Sequence, residues 1–116
     1  MFSSLLVVKE TSVKHLRGQE HLTEFSQSET IATGNTMSNH FCSICGTLMY
    51  RISSGASDNL VMRLGTVDDF NLQGTKLKPK MEIFCKDRVQ WLTGVEGVAK
   101  FEGNVHTGDL SGNTTE

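Results

Sequence analysis

Cysteine is too scarce in this chain for the chemistry its placement points to. There are three, Cys42, Cys45 and Cys85, in 116 residues, whereas a closed structural zinc takes four ligands, usually from two pairs. Basic runs are lacking too, and the net charge is −2, which argues against a nucleic-acid surface. No apolar stretch approaches the length of a membrane span. The apolar segment Ser3–Val8 has no basic lead-in and is too short for a signal peptide. An odd cysteine count without an export signal points to a reducing, cytoplasmic setting. The Asn113-Thr114-Thr115 sequon then carries no meaning. With 21% charged and 37% hydrophobic residues, the composition fits a soluble globular protein with one core and little to spare. A single domain is expected over residues 1–110, followed by a polar tail at 111–116.

What is present is concentrated in His40-Phe41-Cys42-Ser43-Ile44-Cys45-Gly46-Thr47-Leu48-Met49-Tyr50. Two cysteines two residues apart, with a glycine directly after, match a zinc knuckle: a tight turn, then a residue free to take positive φ, so that backbone amides face the thiolates. Two other readings stay open. The pair could be small apolar core groups. It could be a redox dithiol, although that chemistry uses a strand-to-helix junction, and Thr47–Ile52 reads as a strand with no helix start.

The rest of the chain has a β pattern: short segments rich in β-branched and aromatic residues, punctuated by glycine and polar clusters. Strands are expected at Phe2–Val8, Ser12–Leu16, Leu22–Ser26, Met37–Phe41, Thr47–Ile52, Asn59–Leu64 and Lys80–Lys86. The last two alternate well, with Leu60, Met62 and Leu64 opposite Val61 and Arg63, and with Met81, Ile83 and Cys85 opposite Glu82 and Phe84. Helix is confined to two places. Asp68–Asn71 reads as a turn or one short helical turn, and Asp87–Leu92 as another, with Asp87 as cap. There is no internal repeat and no domain linker.

Four blocks in order resemble the glutathione-dependent formaldehyde-activating enzyme family, which includes centromere protein V-like proteins. They are FSSLLVV at Phe2–Val8, FCSICGTLMY at Phe41–Tyr50, LGTVDD at Leu64–Asp69, and KPKMEIFCKDRVQWL at Lys78–Leu92, closed by VEGVAKFEG at Val95–Gly103. The last two blocks look closest to the fungal-type members. The resemblance implies a mainly β fold of sheets leaning together like a tent, with little helix. It implies two zinc ions. One is structural, held by a Cys-x-Cys pair and by the Cys-x-x-Cys pair before the glycine. The other, linked to thiol-adduct chemistry, is held by a Cys-x-Cys-x-x-Cys cluster just before the first strand block. The implied activity is reversible formation of S-hydroxymethylglutathione from formaldehyde and glutathione, a carbon–sulfur lyase step. This sequence begins at the first strand block, so it reads as N-terminally truncated relative to the family. Only Cys42 and Cys45 carry over, as two ligands of the structural zinc; nothing matches the catalytic cluster, and Cys85 receives no role.

Other candidates are weaker. His40 shares a strand face with Cys42 and could be a third ligand; a partly exposed strand residue is the plainer reading. Asp68 and Asp69 suit a turn better than an acid–base pair. Trp91 is expected to pack over the last strand. His15, His21 and His106 carry no signal. Two function classes remain: a zinc-dependent carbon–sulfur lyase acting on a glutathione-type thiol adduct, or a non-catalytic β domain that keeps the fold and half of a zinc site. The partner of the first is a small-molecule thiol, and two chains sharing one zinc would give a homodimer.

Overall fold

The computed structural model describes residues 2–105. The polar tail at 111–116, its sequon and His106 lie outside them. Five strands form one antiparallel sheet: β1 (Leu5–Lys9), β2 (Leu22–Gln27), β3 (Met37–Cys42), β4 (Leu48–Ser53) and β5 (Asn59–Arg63), in the order β1-β5-β4-β3-β2. A short helix α1 (Phe70–Gly74) follows. A parallel pair, β6 (Met81–Glu82) and β7 (Ala99–Lys100), completes the regular structure. The fold is mainly β. Two compact units hold these elements, one over Ser3–Leu77 and the other comprising Phe2 and the chain from Lys78.

Successive side chains on a strand point to opposite faces, so the register sorts the large sheet into two surfaces. Tyr50 pairs with His40 and Met62, and Met62 with Leu6. That row, with Leu60, Ile52 and Val8, makes the better-covered face. Tyr50, at 8% exposure, and Leu60, at 3%, are its buried centre. The other face carries Arg51, Asn39, Val61, Arg63 and Leu5, in register with one another. Leu5, Val7 and Phe25 on this face are exposed.

Three expected elements differ. Ser12–Leu16 makes no strand. Pairing of β1 with β5 ends at Lys9–Asn59, Glu10 donates to the Asp58 carbonyl, and Glu10–Ser12 curls into a 3-10 turn closed by Val13. Beyond it no neighbouring strand offers a ladder. Asn59–Leu64 stops one residue early, because Leu64 turns into a 3-10 turn and buries its side chain to 3% exposure. Lys80–Lys86 holds a strand only at Met81–Glu82. Phe84 takes left-handed φ (+55°), and Cys85–Asp87 forms a 3-10 turn. The Phe84 and Cys85 amides donate instead to the Gly103 and Phe101 carbonyls. At Asp87–Leu92 Arg88 is extended and the expected turn falls at its end, where the Leu92 amide donates to the Val89 carbonyl at 3.1 Å. The turn at Asp68–Asn71 does form: the Asp69 carboxylate accepts from the Asn71 amide at 2.9 Å and caps α1, the usual role of Asp at that position.

In the unit from Lys78 onward a buried-in-part carboxylate organises the chain. Glu82 accepts from both terminal nitrogens of Arg88, at 2.8 and 3.4 Å, and from the Val95 amide at 3.0 Å. Lys100 stands at 3.8 Å. The Arg88 hydrogen bond, followed by that of Val95, holds the Glu82 carboxyl below its ordinary value. Gly94 lets this pair close. A methyl group there would collide with the Arg88 guanidinium and the Glu82 carboxylate. The atoms it would displace are side-chain ends, but their hydrogen bonds pin them. Gly94→Ala is expected to destabilise by about 1–3 kcal/mol, the usual cost of overpacking. An unchanged urea midpoint would show that the Glu82–Arg88 pair does not need the space.

Candidate metal-ligand turn and the Tyr50 cavity

Cys42 is the last residue of β3, and β4 starts at Leu48. Between them the backbone folds back on itself. The Gly46 amide donates to the Cys42 carbonyl at 2.8 Å, and the Cys42 amide donates to the Thr47 carbonyl at 2.9 Å. The Ser43 amide is tied at 2.7 Å to the carbonyl of His21, next to β2. Gly46 has φ +77°, the left-handed conformation that the sequence pattern calls for. The turn sets Cys42 and Cys45 at its two ends, around the Gly46 to Cys42 hydrogen bond.

Cys45 is exposed and Cys42 half-buried, and both are free thiols. The Thr47 hydroxyl lies 3.2 Å from Cys45 Sγ. Hydrogen bonding from that hydroxyl first, then from the Thr47 amide and the Cys42 thiol, pulls the Cys45 thiol below its ordinary value. Thiolate, not thiol, binds metal, so the turn favours the ligating form. Two thiolates would supply two of the four ligands that a tetrahedral zinc takes. Among the described residues no group of three or more His, Cys, Asp or Glu side chains is placed to hold a metal. An open three-ligand zinc is therefore not met by these residues.

His40 does not join the pair. Its ring stacks on Tyr50, with centroids 4.7 Å apart and planes 18° apart. Across the same tyrosine, His15 Nε2 lies 3.2 Å from the phenol oxygen. Tyr50 and His15 line a cavity of about 280 Å³ with Glu10, Val13, Gln19, Ile52 and Leu60. Burial first, then the charges of Glu10 and Glu24, push the Tyr50 hydroxyl upward, so it stays protonated and can donate or accept a proton-mediated bond but not act as a base near neutrality. The sequence gives no motif for this cluster. His15 stands 35 residues from Tyr50, in the segment that the strand pattern misread. Trp91 is 70% exposed rather than packed over a strand. Cys85 receives a hydrogen bond from Arg88 at 3.4 Å and belongs to the unit from Lys78 onward.

A five-stranded antiparallel sheet with a Cys-x-x-Cys-Gly turn joining two neighbouring strands defines a mainly β domain. The model of the glutathione-dependent formaldehyde-activating enzyme family matches residues 1–87, and the chain belongs to that family. No curated protein and no solved structure matches it. Among the described residues no helix is long and apolar enough to cross a membrane.

A Cβ at position 46 meets nothing within 4 Å, so the glycine is required by backbone conformation alone. Gly46→Val is expected to destabilise by about 1 kcal/mol or more. A denaturation midpoint equal to that of the parent chain would remove the conformational argument.

Proposed function

We propose that this chain is a zinc-binding domain whose Cys42 and Cys45 supply two thiolates to a structural site. The observation that carries this reading is the tight Cys42–Gly46 turn, closed by backbone hydrogen bonds and a positive-φ glycine, with Cys45 biased toward thiolate by Thr47. Two thiolates leave two coordination positions open, and a single chain should hold zinc weakly. A second copy presenting the same pair would close a four-thiolate shell. Native mass spectrometry after chelator treatment tests this. Zinc is expected only in a species of two chains sharing one ion. One zinc retained per single chain would overturn the half-site.

Family membership supports carbon–sulfur lyase chemistry on a glutathione–formaldehyde adduct as the ancestral activity. A catalytic zinc in such chemistry would hold the thiolate in an open position kept by three protein ligands. The half-site supports the other class, a non-catalytic β domain, for these 116 residues taken alone. The zinc-loaded chain is therefore expected to form S-hydroxymethylglutathione no faster than the uncatalysed background. Fusing an N-terminal segment with the Cys-x-Cys and Cys-His-Cys-x-x-Cys motifs should raise the rate. Equal rates for the short and extended chains would show that the activity does not depend on those cysteines.

A further inference from the structure

The sheet face opposite Tyr50 gathers positive charge without a counter-charge among the described residues. Arg51 is in register with Val61, and Arg63 lies two residues further along β5. That diagonal places their Cβ atoms about 7–8 Å apart, within easy reach for two guanidinium groups. Like charges so close repel, and each additional ångström of burial makes the repulsion harder for water to screen. Proteins normally answer this with a carboxylate. Here neither arginine has a carboxylate partner among the described residues. Lys9 lies on the same face but is bound by Asp58 at 2.8 Å. No strand residue on this face is acidic: Glu24, the one acid in β2, points with Ser26 and Ser38 to the other surface.

The neutral neighbours add donors rather than charge balance. Arg51 Nε donates to Asn39 Oδ1 at 2.7 Å, which leaves the Asn39 amide hydrogens free. Arg63 Nη1 donates to Ser3 Oγ at 2.7 Å, which leaves the serine proton free to be given elsewhere. Arg63 Nε is buried with no partner among the described residues. An unsatisfied buried N–H on a charged group is costly, and such a group calls for an acceptor. Burial first, and then the Arg51 charge, lower the Arg63 pKa, the direction expected of a cation lacking its anion. The constellation is thus two guanidinium groups, an amide and a hydroxyl, all with hydrogens to donate.

We propose that the sheet face bearing Arg51 and Arg63 binds an oxyanion, a carboxylate or a phosphate, with Asn39 and Ser3 completing the ring of donors. Guanidinium groups suit both, because their fork matches planar and tetrahedral oxyanions in bidentate fashion. The site is distinct from the cysteine turn: Cys42 shares the strand face of His40, and Arg51 projects from the opposite one. A ligand here needs no metal.

The test is isothermal titration of the full chain with sodium phosphate and, separately, sodium acetate, at ionic strength held constant with sodium chloride. Saturable binding of at least one oxyanion is expected. Arg51→Gln should weaken it by about tenfold, the loss of one charge-assisted contact, and Lys9→Gln should leave it unchanged. Arg63→Gln should do the same as Arg51→Gln. If that variant fails to fold by circular dichroism, Arg51→Gln and the parent chain decide the matter by themselves. Tighter phosphate identifies a tetrahedral ligand, and tighter acetate a carboxylate. No saturable heat from either salt with the parent chain, or undiminished binding by Arg51→Gln, would overturn the site.

Discussion

The register of β4 is the constraint on which the rest depends. It is the middle strand of five, with β5 on one side and β3 on the other. Its side chains alternate between a cavity and a charged surface: Tyr50 and Ile52 toward the cavity, Arg51 toward the arginine face. A slip by one residue would exchange them, placing a guanidinium against Leu60 and Val13 and a phenol beside Arg63. The penalty for an unpaired buried charge makes that exchange prohibitive. The register is pinned at one end by the Cys42–Gly46 turn and its two backbone hydrogen bonds. The cysteine turn is therefore also the device that aligns β3 with β4.

This arrangement also absorbs an irregularity. The pairing of β3 with β4 shifts between His40 and Phe41, so that Phe41 meets Leu48 while His40 meets Tyr50, and Met49 is the extra residue. A bulge of this kind increases the local twist. It sits between the knuckle and the stacked His40–Tyr50 pair, and lets both keep their own geometry. Few side chains are deeply buried: Tyr50, Leu60 and Leu64 are the buried hydrophobic residues among those described. With so little core, polar ties matter more. The Glu82 cluster does for its unit what Tyr50 and Leu60 do for the sheet.

Much of the fold was legible where alternation coincided with a partner strand. Asn59–Arg63 shows this, because its apolar set faces a covered surface. Reading failed where alternation had no partner. Ser12–Leu16 has the composition of a strand and no ladder to join. Lys80–Lys86 alternates well, yet its later amides, at Phe84 and Cys85, find acceptors at Gly103 and Phe101, 19 and 16 residues on. Arg88, within the turn expected at Asp87–Leu92, is extended and drawn to Glu82. The candidate site divides in the same way. Cys42, Cys45 and Gly46 are contiguous, so their turn follows from local backbone geometry. His15 with Tyr50, and Arg51 with Arg63, come together only through strand pairing.

By itself, then, the sequence determined the β character, the cysteine turn, the positive φ of Gly46 and the cap at Asp69. Each is a property of a few adjacent residues, decided by sterics and short-range hydrogen bonds. Tertiary structure alone decided that His40 stacks on Tyr50 rather than turning to the thiols, that Gly94 leaves room for an ion pair, and that two arginines share a face without a carboxylate among the described residues. Those outcomes rest on which strands become neighbours and on where charge can be desolvated, and both are settled by the whole chain at once.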